Sequence, residues 1–390
     1  MKKGTKTGKG NKAGKGSKGK KKLLIASDSF LPRWDGIARF LSEMIPRLKK
    51  DYDITIVAPD FRGSRVSMKG VSIVRIPVFG FSWGDYTPPK FRPGRIKELV
   101  KEHDLVFSQS IGPIGYLAMK HAKKKKKPVI SFIHSIEWEL VPKSASKLMF
   151  FARYIVRQLA RWMYNKADLL IAPSIDTEKL FRENSISSPI KVIHLGIDTS
   201  RFTPAKDKKK AKEHAGVDKE STIIGFTGRV GREKDLGTLY RAFRALQSKH
   251  DNLKLMIVGK GLPLESIFDS MDDVIHIPVS NRIQDQLKAM DIFVLPSLTE
   301  TSSLATMEAM ACGLPVLATK VGHVEHYIND GKNGYHFERG DWQILAKKLD
   351  KLIERPELRR GIGRMARKTM ETRYPLKRTV EGIRECLGRF

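Results

Sequence analysis

From residue 23 onward, short apolar runs alternate with stretches in which apolar residues recur every three or four positions. The first set of runs covers 23–26, 54–58, 105–107, 129–133 and 169–172. Continuous apolar runs of this length predict parallel strands buried on both faces, with crossover helices between them. A lysine-rich polar stretch with Pro204 follows over 198–218 and predicts a linker. The alternation then restarts, with runs at 223–226, 253–258, 274–277, 292–295 and 316–318. Two similar α/β halves imply a cleft between them, where ligands usually bind. Tyr374-Pro375 breaks the chain before a last helix over 376–390.

Composition supports two cores: 41% of the 390 residues are hydrophobic. No run of about twenty apolar residues occurs, so no membrane-spanning helix is expected. Residues 1–22 hold ten lysines, no acid and no apolar segment, which predicts a disordered tail and not a secretory leader. Cys312 and Cys386 make no disulfide framework and suit a reducing cytoplasm. The net charge is +31, and without the tail it is still +21. Such a balance suits an anionic membrane or nucleic acid, or it reflects a generally basic proteome.

The most informative segment runs from Leu295 through Glu300 and Glu308 to Gly313-Leu-Pro315-Val. An apolar strand enters a polar loop, the loop opens a helix, and Gly313 ends it before the next strand. In open parallel sheets ligands sit at the carboxyl ends of strands, beside helix N-termini. Glu300 and Glu308, with seven residues between them, can accept hydrogen bonds there from sugar and ribose hydroxyls. Glutamates near helix starts also offset the helix dipole, which is the plainer account of Glu300. Glu308 lies among Leu304, Met307 and Met310, which predicts a buried carboxylate.

Two further loops follow first strands. Ser27 to Arg39 holds Asp35-Gly36, where glycine admits an anion close to the backbone and Asp35 either caps the helix or binds a ligand. Neither loop carries a G-x-G-x-x-G pattern, so a dinucleotide fingerprint is absent there. Gly225 to Gly237 holds Gly228, Arg229, Gly231 and Lys234. Two cations among glycines suit a diphosphate, although a basic turn in a basic protein would look the same. His134 ends the 129–133 run and either donates to a reacting sugar or is structural. No Cys/His cluster suggests a metal site.

Residues 140–167 carry six basic and no acidic side chains. Arg153, Arg157 and Arg161 form one helical stripe, and Phe151, Ile155, Leu159, Trp162 and Met163 gather on another face. This is either an interfacial membrane helix or a surface helix packed on its sheet.

Together, Asp35-Gly36, His134, His194-Leu-Gly196-Ile-Asp198 with Phe202, Thr227-Gly228-Arg229 with Lys234, and the Glu300-to-Glu308 motif resemble the family-4 glycosyltransferases. The resemblance spans residues 23–390 and is closest to lipid-glycosylating members. It implies an α/β protein with two Rossmann-like domains facing each other across a cleft, the GT-B fold. An acceptor domain would cover 23–200, with 375–390 packing back on it, and a donor domain 201–374.

By that resemblance the reaction is a retaining, metal-independent transfer from a UDP- or GDP-sugar, without a cofactor. Arg229 and Lys234 would hold the diphosphate, Glu300 the donor sugar and Glu308 the ribose. Backbone N–H groups at Gly36, Gly228, Ser303 and Leu304 would approach the donor, and Asp35 and His134 would meet the acceptor.

Two departures stand out: Asp35-Gly36 replaces a Gly-Gly pair, and Ser302-Ser303 replaces Phe-Gly after the first glutamate. The expected acceptor is a lipid on an anionic cytoplasmic membrane surface. The alternatives are a soluble sugar acceptor, or a nucleic-acid-binding protein on an inactive scaffold. For the last, no aromatic-basic reader motif appears.

Overall fold

The computed structural model describes residues 19–61, 63, 66–81, 87–140, 147–261, 271–278, 280 and 282–390. Most of the expected tail, and residues 141–146 of the basic stretch, lie outside them.

The first sheet comprises β1 (Lys21–Ala26), β2 (Tyr52–Asp60), β3 (Val71–Pro77), β4 (Leu105–Ser108), β5 (Val129–Phe132), β6 (Leu169–Ala172) and β7 (Ile190–Val192). Its order is β3-β2-β1-β4-β5-β6-β7, with every pairing parallel. The second comprises β8 (Thr222–Thr227), β9 (Leu253–Val258), β10 (Val274–Ile277), β11 (Ile292–Leu295), β12 (Val316–Thr319) and β13 (Gly334–Phe337). Its order is β10-β9-β8-β11-β12-β13, again parallel.

Strands β4, β5, β6, β11 and β12 are buried at every residue, which is why they read as unbroken apolar runs. Strands β3, β7 and β13 were not legible as runs. They lie at sheet edges, where one neighbour is missing and a continuous apolar sequence is not required.

The predicted linker is more ordered than its composition suggests. Phe202 is fully buried, and Lys208–His214 forms a helix capped by Asp207. Lys212 Nζ reaches Asp291 Oδ2 at 2.8 Å, tying this segment to the second sheet. Lysine content misleads here because two of these side chains, Lys208 and Lys212, find partners at Lys288 O and Asp291.

After the break at Pro375, the helix Leu376–Gly388 returns to the first half. Ile197 N donates to Tyr374 O at 2.9 Å, Thr379 Oγ1 to His194 O at 2.9 Å, and Arg384 Nε to Asp51 Oδ2 at 2.7 Å. Gly196 permits the crossing, since a Cβ there would stand 2.6 Å from Pro375 O.

Candidate functional site

In each sheet the strand order reverses beside the first strand, between β1 and β4 and between β8 and β11. Loops leaving the carboxyl ends of these strands diverge and open a crevice. All the expected site residues in the second half lie on the loops after β8 and β11 or on the helix that follows.

After β8, glycines let two loops run backbone against backbone. Gly228 has φ +145°, and a Cβ on Gly259 would stand 1.7 Å from Gly228 O. Val230 bridges Gly261 in parallel. The chain then makes a short 3-10 turn over Arg232–Lys234. Lys234 Nζ donates to Glu300 Oε1 at 2.6 Å, and Ser297 Oγ reaches the same oxygen at 2.9 Å. Arg229 contacts Glu233, four residues on. Leu298 N donates to Glu233 O at 2.7 Å, which fastens the β8 loop to the β11 loop.

The helix Leu304–Ala311 starts at Ser303 and ends at Gly313. Gly313 has φ +75°, and Leu314 N donates to Ala309 O at 3.1 Å, a glycine-ended helix stop. Ser303 keeps the left-handed backbone, φ +51°, that a glycine would adopt at no steric cost. Its hydroxyl contacts Thr306 Oγ1 at 2.8 Å, and Tyr327 Oη donates to Ser302 O at 3.0 Å. The Ser302-Ser303 departure therefore alters the side chains while the turn is held from several directions. The N–H of Leu304 belongs to the first helical turn, which has no partner within the helix.

Glu308 is buried, as its apolar neighbours predicted. Its Oε1 lies 2.9 Å from Nη2 of Arg39, a residue of the first half that sequence reading did not single out. Burial raises the Glu308 carboxyl above its usual range, and Arg39 opposes that shift.

On the first half's side, Asp35 caps the helix Gly36–Leu48, accepting from Ile37 N at 3.1 Å and Ala38 N at 3.0 Å. Its other oxygen meets Ser29 Oγ and Arg33 Nε. The capping account thus describes Asp35 well, and any acceptor contact would share a carboxylate already in use. Gly36 is exposed, with open space where a Cβ would stand.

His134 leaves the end of β5 with its ring against Phe40 and Phe132, at centroid distances of 4.9 and 4.5 Å. Nε2 lies 3.0 Å from Gln109 Oε1, and burial pushes the imidazole down to about 3, so the ring is neutral. Its backbone oxygen accepts from Thr301 Oγ1 of the second half at 3.2 Å, which sets His134 beside the Glu300 loop.

Gln109 and Asp28 also escaped sequence reading. Asp28 accepts from Ile114 N and Gly115 N at 2.9 and 3.1 Å, capping the helix after β4 from across the switch point. Neither carries a local motif, since each acts on a partner more than twenty residues away.

The basic stretch forms the helix Lys147–Tyr164. Ala160, Met163 and Tyr164 are buried against the first half. Phe151, Tyr154, Ile155, Leu159 and Trp162 stay exposed, Phe151 at 59% and Trp162 at 47%. Met163 therefore leaves the expected apolar group, because the helix has one packed face and a second apolar face turned outward. Arg153 bonds Trp138 O and Glu139, whereas Arg157 and Arg161 are exposed. No helix among the described residues is long and apolar enough to cross a membrane. Among the same residues no group of three or more His, Cys, Asp or Glu side chains is placed to hold a metal ion.

Comparison with known proteins matches this architecture half by half. The model of Glycosyltransferase Family 4 matches residues 34–201, and that of Glycosyl transferases group 1 matches 207–369. One relative is the capsular polysaccharide biosynthesis glycosyltransferase CapM of Staphylococcus aureus, 28% identical over 62% of this chain and 66% of that protein. Another is the GDP-mannose-dependent alpha-(1-6)-phosphatidylinositol monomannoside mannosyltransferase of Mycolicibacterium smegmatis, 24% identical over 87% of this chain and 91% of that protein. Among solved structures, Anabaena HepE in complex with UDP and glucose has a TM-score of 0.76 at 19% identity, covering 95% of this chain and 100% of that one, a likeness of fold. With one model over each half and two parallel sheets facing across a cleft, the chain belongs to the family-4, group 1 glycosyltransferases of the GT-B fold.

Proposed function

We propose that the chain is a retaining, metal-independent hexosyltransferase that moves a sugar from a UDP- or GDP-sugar to a membrane lipid. The observation that carries this reading is the convergence of Lys234, Glu300 and the start of the helix Leu304–Ala311 at the ends of β8 and β11, beside His134. When the bond between the anomeric carbon and the diphosphate oxygen breaks, negative charge grows on that oxygen. Arg229 and Lys234 would neutralise it, and backbone N–H groups at Gly228, Ser303 and Leu304 would add partial positive charge. Glu300 would bind the donor sugar and Glu308 the ribose. A neutral His134 can donate one hydrogen bond near the reacting centre without adding charge.

A lipid acceptor is supported by the outward aromatic face of Lys147–Tyr164, flanked by Arg157 and Arg161. Such a helix lies in a membrane interface, here on the cytoplasmic side. The phosphatidylinositol monomannoside mannosyltransferase is a relative with a lipid in its name. The capsular polysaccharide relative supports a second reading, a soluble or growing saccharide acceptor.

Incubation with a panel of nucleotide sugars and a host lipid extract, followed by mass spectrometry, separates these. A glycosylated lipid is expected. Product on soluble saccharides alone would favour the second reading, and no transfer from any donor would sink both.

A further inference from the structure

We infer that the ribose subsite is shared between the two halves, with Arg39 supplying the donors that complement the Glu308 carboxylate. This rests on the nucleotide-sugar reading above and adds to it a residue from the opposite side of the cleft.

Arg39 lies one turn into the helix Gly36–Leu48 and is 5% exposed. Its guanidinium carbon stands 5.6 Å from the Trp34 ring and 5.0 Å from the Phe202 ring, which restrict its plane. Taking a guanidinium out of water is costly unless its N–H groups are satisfied. Nη2 is 2.9 Å from Glu308 Oε1, yet that contact lacks hydrogen-bond alignment. Nη1 and Nη2 of Arg39 and Oε1 of Glu308 all lack a hydrogen bond. The other nearby carboxylate, Glu43, is 3.7 Å from Nη2 and already accepts from Arg201 at 2.9 Å.

Buried donors and a buried acceptor therefore stand side by side between the halves, attracted but not hydrogen-bonded. The charge pattern selects what can complete them. A phosphate would be repelled by Glu308, and an ammonium by Arg39. A neutral hydroxyl accepts from the guanidinium and donates to the carboxylate at once, and a vicinal diol does so twice. A cavity of about 20 Å³ lined by Arg39, Glu43 and Leu304 opens on the Arg39 side of the pair. Binding a diol there engages both halves together, so donor affinity depends on a residue outside the donor-binding half.

The test is calorimetric titration of wild type, Arg39→Met and Arg39→Lys with UDP, GDP and their 2′,3′-dideoxy forms, with thermal unfolding measured on each protein. Arg39→Lys keeps the charge beside Glu308 and guards against a folding defect in Arg39→Met. Wild type is expected to prefer the ribose form by at least about tenfold. Both variants should bind the ribose form about tenfold more weakly and the dideoxy form unchanged, so that the preference collapses. Variants that keep the preference, or that lose affinity equally for both forms, overturn the role of Arg39 and leave the nucleotide-sugar reading standing. Wild type that binds neither diphosphate overturns both.

Discussion

Lys234 Nζ and Glu300 Oε1 lie 2.6 Å apart, joining the loop after β8 to the loop after β11. Both side chains are mostly buried, at 16% and 13% exposure. The carboxylate keeps the cation in place at the point where the proposed function puts the diphosphate.

Lys234→Ala should lower turnover about 10²–10³-fold, the usual effect of deleting one group that stabilises developing charge. It also leaves Glu300 without its cation, so some stability is lost. The double variant Lys234→Met/Glu300→Gln should regain that stability and stay inactive. Steady-state kinetics beside thermal melts separates the two effects, and unchanged turnover in Lys234→Ala refutes the diphosphate role.

Burial of His134 is expected to make the fold acid-sensitive. Its folded value is about 3 against an ordinary 6.5, because burial disfavours the imidazolium. The native state thus prefers the neutral ring. This group's stability is complete above the unfolded value of 6.5 and is lost as pH falls from there toward 3. The loss is at most about 1.4 kcal/mol per pH unit. Urea unfolding at neutral and mildly acidic pH should show a steeper decline for wild type than for His134→Gln. Parallel declines would remove His134 as the cause.

Ser303 holds a left-handed backbone that costs a non-glycine residue about 1–2 kcal/mol. Replacing a serine cap by glycine costs only a few tenths of a kcal/mol. Ser303→Gly should therefore stabilise the protein by about 1 kcal/mol, read from the urea midpoint. A lower midpoint would show that the contact with Thr306 outweighs the backbone strain.

The outward face of Lys147–Tyr164 should bind anionic vesicles at low salt and release them near 1 M, where the screening length falls to about 3 Å. Leu159→Ser with Trp162→Ser should weaken co-sedimentation more than tenfold, since burying one such side chain contributes roughly 1.5–3 kcal/mol. Leu159 is half exposed, whereas Trp162 also packs on Tyr116 at 5.9 Å, so thermal melts of each single variant separate lost docking from lost packing. Sedimentation equal to wild type would argue against this face as the docking surface.

Much of the fold was legible because a strand buried on both faces must be apolar along its whole length. Strands β4, β5, β6, β11 and β12 show this directly. Edge strands β3 and β7 escaped because their burial is partial, and β13, though mostly buried, because its Gly-Tyr-His-Phe sequence is short and mixed. In the site, Lys234 and Glu300 were legible because glycine turns and helix starts announce themselves within a few residues. Arg39 and Gln109 were not, since their partners Glu308 and His134 lie on other elements.

The order of residues alone determined two repeated α/β halves, the loops that would bear charge, and a basic helix with apolar positions to spare. Local patterning suffices there, because burial and turn chemistry act over a few neighbours. Only the tertiary structure decided which face of that helix packs, that residues 198–218 dock through Phe202 and Lys212, and that Arg39 meets Glu308. Those outcomes depend on distances between elements far apart in the chain, which packing of the two sheets sets.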